Sequence, residues 1–245
     1  MDIYYAVTGV LQQFLHVPQT VTKIQASPDG SILFFSHPLS VTMWDIQTGG
    51  LIHTFITESE VSSIAVSMAH IACGFSDGSV IFWNTHTKEK GGGFGNGQPV
   101  VSIYWLSPRK LAVATQSTLY VHDIIVGDTS YRLIPGNVWG MVYLEDKGEF
   151  LVGASRLGMG AGQEECFFTT VAYGQWPGLE QELPHFQSTN LLQSFVHGGQ
   201  LSSPTLVDKE IVCIIPTNGV QLFNTSSYDW TNSPPLLGAA TSVAV

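Results

Sequence analysis
The 245-residue chain is short of charge: only 11% of its residues are Asp, Glu, Lys or Arg, and Lys plus Arg number 9 against 19 Asp plus Glu. The net charge of −10 with His neutral argues against nucleic acid as a partner, because a phosphate backbone needs clustered cations. The pairs Arg109-Lys110 and Lys88/Lys90 make no such patch. Cysteine is scarce and odd in number. Cys73, Cys166 and Cys213 stand far apart in apolar runs, which reads as reduced buried thiols and a cytoplasmic or nuclear protein. No apolar run approaches the roughly 20 residues of a membrane span. The start MDIYY carries an acid and no basic segment, so neither membrane insertion nor secretion is expected, and the sequon Asn224-Thr225-Ser226 is read as unused. What is abundant is Gly, 25 copies, beside 44% hydrophobic residues. That is the balance of many short buried strands joined by small turns, all in one domain over residues 1–245.

The chain is organised around residues 41–55, VTMWDIQTGGLIHTF. An alternating run ends in Trp44-Asp45, a polar Gln47-Thr48-Gly49 turn follows, and alternation resumes to Phe55, the pattern of two antiparallel strands joined by a hairpin. Trp44 is expected to pack inward and Asp45 to cap the turn. The same frame fits Tyr4, Trp83-Asn84, His122-Asp123 and Phe223-Asn224. Tyr4, Trp44, Trp83 and His122 are 40, 39 and 39 residues apart, and Phe223 follows after 101, two steps of about 50 with one degenerate copy between. Four strands per unit at such a period is the signature of propeller blades.

Taken in order, residues 3–15 supply the two outer strands of one unit. Five full or nearly full units follow, and residues 240–245 (ATSVAV) match the inner strand of another. The expected fold is all-β: a propeller of about five blades with partial blades at both ends, an incomplete seven-bladed one whose unpaired edges would favour self-association. The second unit's fourth strand is poorly marked, because residues 91–97 (GGGFGNG) read as a flexible loop. An insertion is expected from Trp176 to Phe195, with residues 188–195 readable as a short helix or a strand.

Residues 71–84 (IACGFSDGSVIFWN) and 41–49 (VTMWDIQTG) resemble the WD40 repeat. The resemblance covers nearly the whole chain and implies blades locked by a turn Asp, a His before the first strand, a Ser or Thr in the second strand and the Trp of the third. Asp77 and Trp83 match this set, but Cys73 replaces the Ser or Thr and no His precedes Val61. In the first unit Trp44 matches and His16 is the candidate His, while Pro38 stands where the turn Asp belongs. The repeats are therefore divergent and held mainly by packed Val, Ile, Phe and Trp.

No catalytic, cofactor or metal residue is assigned. The Gly-rich stretches 91–97 and 158–162 lack both the G-x-G-x-x-G spacing and a P-loop Lys. Residues 153–157 miss the G-x-S-x-G elbow at its last position, and no two of the eight His stand at a metal-ligand spacing. The expected function is a non-catalytic protein-protein interaction scaffold with protein or peptide partners of basic or mixed charge. Recognition is expected in the least regular loops, with Phe94, Met159, Trp176 and Trp230 as contacts. Two alternatives are an enzyme with its site at the channel mouth and a repeat-sensor segment of a larger signalling protein.

Overall fold
The computed structural model describes residues 2–4, 11–14, 17, 20–95, 97–157, 164–173, 191–196, 205–207, 210–215, 219–224 and 229–231, with side chains in 17, 20–95, 97–156 and 168–173. Strands β1 (Asp2–Tyr4) and β2 (Leu11–Phe14) pair antiparallel. Sheet I comprises β3 (Lys23–Ala26), β4 (Ile32–His37), β5 (Ser40–Asp45) and β6 (Leu51–Ile56). Sheet II comprises β7 (Val61–Val66), β8 (His70–Phe75), β9 (Ser79–Asn84) and β10 (Lys90–Gly95). Sheet III comprises β11 (Val100–Ser107), β12 (Lys110–Thr115), β13 (Thr118–Asp123) and β14 (Thr129–Leu133). Sheet IV comprises β15 (Asn137–Leu144), β16 (Glu149–Leu157), β17 (Glu164–Ala172) and β18 (Leu191–Val196). Sheet V comprises β19 (Thr205–Val207), β20 (Glu210–Ile215), β21 (Gly219–Asn224) and β22 (Asp229–Thr231). Each four-stranded sheet is an antiparallel meander in chain order. The inner strands β3, β7, β11 and β15 contact one another in succession, giving a propeller-like fold.

The second strand of each sheet explains why the sheets stack. In β4, β8 and β12 nearly every residue is buried, because alternate side chains leave for opposite neighbours. Phe34 enters the core between sheets I and II with Ile71, Cys73 and Phe75, whereas Leu33 and Phe35 join Trp44 on the other face of sheet I. In β12, Leu111 and Val113 face sheet II while Ala112 and Ala114 face sheet IV. Burying one such Phe contributes up to about 3 kcal/mol.

The structure corrects two readings of the sequence and decides a third. Within the stretch 91–97, read as a flexible loop, residues 91–95 belong to the outer strand β10, with Phe94 opposite Val80 and Gly93 opposite Ile81. Glycine is accepted because a Cβ on Gly91 would lie 2.7 Å from the Phe82 ring, so the bare backbone lets that ring cover the strand. Of the stretch 188–195, left open as helix or strand, residues 191–195 lie in strand β18, the partner of β17. Trp230 lies in β22 opposite Phe223 rather than in a loop. Residues 240–245, Met159, Trp176 and His16 lie outside the described residues.

Candidate functional site
The repeat positions occupy one register. Tyr4, Trp44, Trp83, His122 and Phe223 each pair with the residue seven further on, namely Leu11, Leu51, Lys90, Thr129 and Trp230. Trp44, Trp83, His122 and Phe223 also oppose the second residue of the preceding strand, Leu33, Ile71, Leu111 and Ile211. The same criterion identifies Val171, opposite Phe150, as the degenerate copy in sheet IV; it lies 49 residues after His122 and 52 before Phe223. Trp44 and Trp83 are buried, and His122 is half-buried and stacked on Phe94 with ring centroids 4.0 Å apart. Phe94 is thus half-buried between sheets II and III, with only part of its ring available to a partner.

The Asx residue after Trp44, Trp83 and His122 organises the turn that follows. The Asp45 carboxylate accepts from the Thr48 backbone N–H at 2.6 Å. Asn84 accepts from His86 and Thr87 at 2.8 and 3.0 Å, and Asp123 from Ile125 and Val126 at 3.1 and 3.2 Å. Arg109 donates twice to the other Asp123 oxygen and holds that carboxyl down at about 2. Asp77 is different. Its carboxylate accepts from the Ser79 N–H and hydroxyl within its own turn, while Cys73 is fully buried with its thiol pushed up by desolvation.

Sheets I and III carry polar ties that motif reading missed. The buried His37 ring bonds Thr42 Oγ1 through Nε2 and Thr20 O through Nδ1, both at 2.9 Å. In sheet III the Thr115 and Ser117 hydroxyls donate to Gln98 Oε1 at 2.9 and 3.1 Å. Each tie joins the end of the second strand to the chain just before the inner strand, and each uses a residue of a different type.

The first-to-second and third-to-fourth strand turns of a meander fall at the same end of the sheet. Here the N–H groups of Ile46, Thr85 and Ile124 donate to Ser31 O, Ala69 O and Arg109 O at 3.0, 2.8 and 2.9 Å, welding the two turns in each of sheets I to III. At this end lies an open pocket of about 640 Å³ built from the inner-strand ends of sheets I, II and III and from Glu145 of sheet IV. Pro28, Met68, Trp105 and Pro108 give it an apolar character, and Met68 is 60% exposed. The Trp105 indole N–H donates to Ala65 O at 3.2 Å, and its ring stacks on His70, 5.5 Å between centroids. Tyr104 donates to Glu145 Oε1 at 2.9 Å, and burial, then that bond, pushes its phenol well above the ordinary range. The apolar residues Ile125 and Val126 are exposed in a turn at the same end.

Phe94, the one expected contact whose side chain is described, is not in the lining of this pocket. The pocket has no local signature in sequence, since its lining is divided among four segments far apart in the chain; the alternation that marks Trp105 as core gives no sign that its neighbour Tyr104 meets Glu145 across sheets. Among the described residues, no three His, Cys, Asp or Glu side chains are grouped as metal ligands would be.

No family model and no curated protein matches the chain. Solved structures do. The structure of U3-55K is similar over 99% of this chain and 77% of its own, with 17% identity and a TM-score of 0.71. A chain of the mitotic checkpoint complex matches over 100% and 76%, with 15% identity and a TM-score of 0.67. The computationally designed Ika8 protein matches over 100% and 71%, with 17% identity and a TM-score of 0.63. The likeness is one of fold.

Proposed function
We propose that the chain is a non-catalytic protein-interaction scaffold of the WD40 repeat type, working in the cytoplasm or nucleus and docking its partner on the turn end that carries the pocket. The observation that carries this reading is an apolar concavity of about 640 Å³ set in a frame of welded turns, with Met68 exposed beside it. A rigid frame reduces the ordering cost of binding, and an exposed apolar rim supplies the anchor pocket that interfaces use. The fold likeness to a chain of the mitotic checkpoint complex, a component of a protein assembly, supports the same reading. So does the protonated Tyr104, which suits a fixed hydrogen-bond donor better than a proton shuttle at neutral pH. The net −10 favours a basic or mixed protein surface over a polyanion. The test compares affinity pull-downs from native extract using wild type, Met68→Glu and Leu39→Glu. Met68 and Leu39 are equally exposed, at 60%, in turns at opposite ends of their sheets. Specific partners should be lost with Met68→Glu and kept with Leu39→Glu; the reverse pattern, or none, would contradict the proposed face.

A further inference from the structure
Resting on that reading, the geometry points to the chemistry of the occupant: we infer that the pocket takes an extended peptide segment with a bulky apolar side chain close in sequence to a Lys or Arg whose cation pairs with Glu145. Glu145 is the one charged residue among the described residues of the lining. One of its oxygens is fixed by Tyr104, which aims the carboxylate, and the other has no partner among the described residues. The surrounding charge has the same sign. Asp29 sits between the lining residues Pro28 and Gly30, and its carboxylate is kept ionised by hydrogen bonds from Ser27 and Ser31; Asp146, exposed, follows Glu145.

Of the cations near this end, Lys90 is exposed at the start of β10, and the others have interactions within the protein. Arg109 is paired with Asp123. Lys88 turns inward to Thr85 O and the Met43 sulfur. Lys110 donates to the Tyr173 hydroxyl at 3.1 Å and lies over its ring, and Lys147 has an interaction of its own. A basic partner therefore meets carboxylates most of whose neighbouring cations are engaged elsewhere, whereas an acidic partner meets repulsion. The apolar lining sets the other half of the specificity, because desolvating Met68, Pro28 and Pro108 rewards a large aliphatic or aromatic side chain.

The experiment is selection from a random linear peptide library displayed on phage, followed by titration of the best synthetic peptide against wild type and Glu145→Gln. Selected sequences should pair Leu, Ile, Phe or Trp with a nearby Lys or Arg. Replacing that Lys or Arg by norleucine should weaken binding to wild type about tenfold and to the Glu145→Gln variant hardly at all, since a shared partner makes the two losses non-additive. Affinity should also fall with added salt. Enrichment of acidic or purely apolar sequences, equal norleucine losses in the two proteins, or no enrichment overturns the inference. If Met68→Glu nonetheless removes protein partners in the pull-down, the interaction reading survives that outcome; if partners are also indifferent to Met68→Glu, both fail.

Discussion
His70 shows how a single residue can make stability depend on pH. Its ring stacks on Trp105 and meets Phe82 edge-on at 6.4 Å, and its Nδ1 is buried without a partner. Burial first, then the nearby His86, lowers its pKa below the ordinary 6.5. The unfolded chain therefore binds a proton more readily than the folded one. The stability contributed by neutral His70 is full above 6.5 and is lost as pH falls below it toward the folded value. Thermal melts of wild type should drop between about pH 7.5 and pH 5 more than melts of His70→Phe, which has nothing to protonate; parallel drops would show that other groups govern the effect. Trp83 illustrates the apolar counterpart. Its ring lies 5.7 Å from Phe55 inside the core between sheets I and II. Trp83→Ala should cost about 3 to 5 kcal/mol, as should Trp44→Ala, read as a fall in denaturation midpoint with an unchanged slope.

At the scale of the element, the turns explain which glycines matter. In the three Asx-capped turns the fourth residue after the cap donates to the cap carbonyl, as Gly49, Lys88 and Gly127 do at 3.0, 2.9 and 2.8 Å. All three have positive φ, 69°, 67° and 84°. Lysine has no steric licence for that region, so Lys88→Gly should raise stability by about 0.5 to 1 kcal/mol in urea unfolding; a loss would mean that its ammonium contacts outweigh the backbone strain. Gly78 is constrained from outside as well. It has φ +86°, and a Cβ there would lie 2.5 Å from Gln98 N and 2.6 Å from Gln98 O, backbone atoms that cannot turn aside. Gly78→Ala should therefore cost about 2 kcal/mol or more. Gly30→Ala has φ +69° but nothing within 4 Å and should cost about 1 kcal/mol. Equal losses would show that backbone conformation alone, and not the close approach, sets the cost at Gly78.

At the scale of the whole molecule, the chain behaves as a series of sheets, and that was the most legible part of the sequence. Strands buried on both faces read as apolar runs, and the spacing of Trp44, Trp83 and His122 located their sheets. Strand β10 was hidden because KGGGFG carries almost no side-chain signal, its partner β9 supplying the ring that covers it. The pocket was hidden because Met68, Tyr104, Trp105 and Glu145 are brought together by stacking, not by any local pattern. The same stacking predicts how perturbations travel. The core between sheets I and II, with Phe34, Phe55 and Trp83, shares no residue with the core between sheets III and IV, with Phe150 and Val152. If each sheet speaks only to its neighbours, Phe34→Ala combined with Val152→Ala should give the sum of the single losses within about 0.5 kcal/mol. Phe55→Ala combined with Trp83→Ala, which removes two rings in contact, should deviate from additivity by about 0.5 to 3 kcal/mol. Two-state urea unfolding of the four single and two double variants supplies every term. Strong coupling between the distant pair would mean that the sheets unfold as one inseparable body.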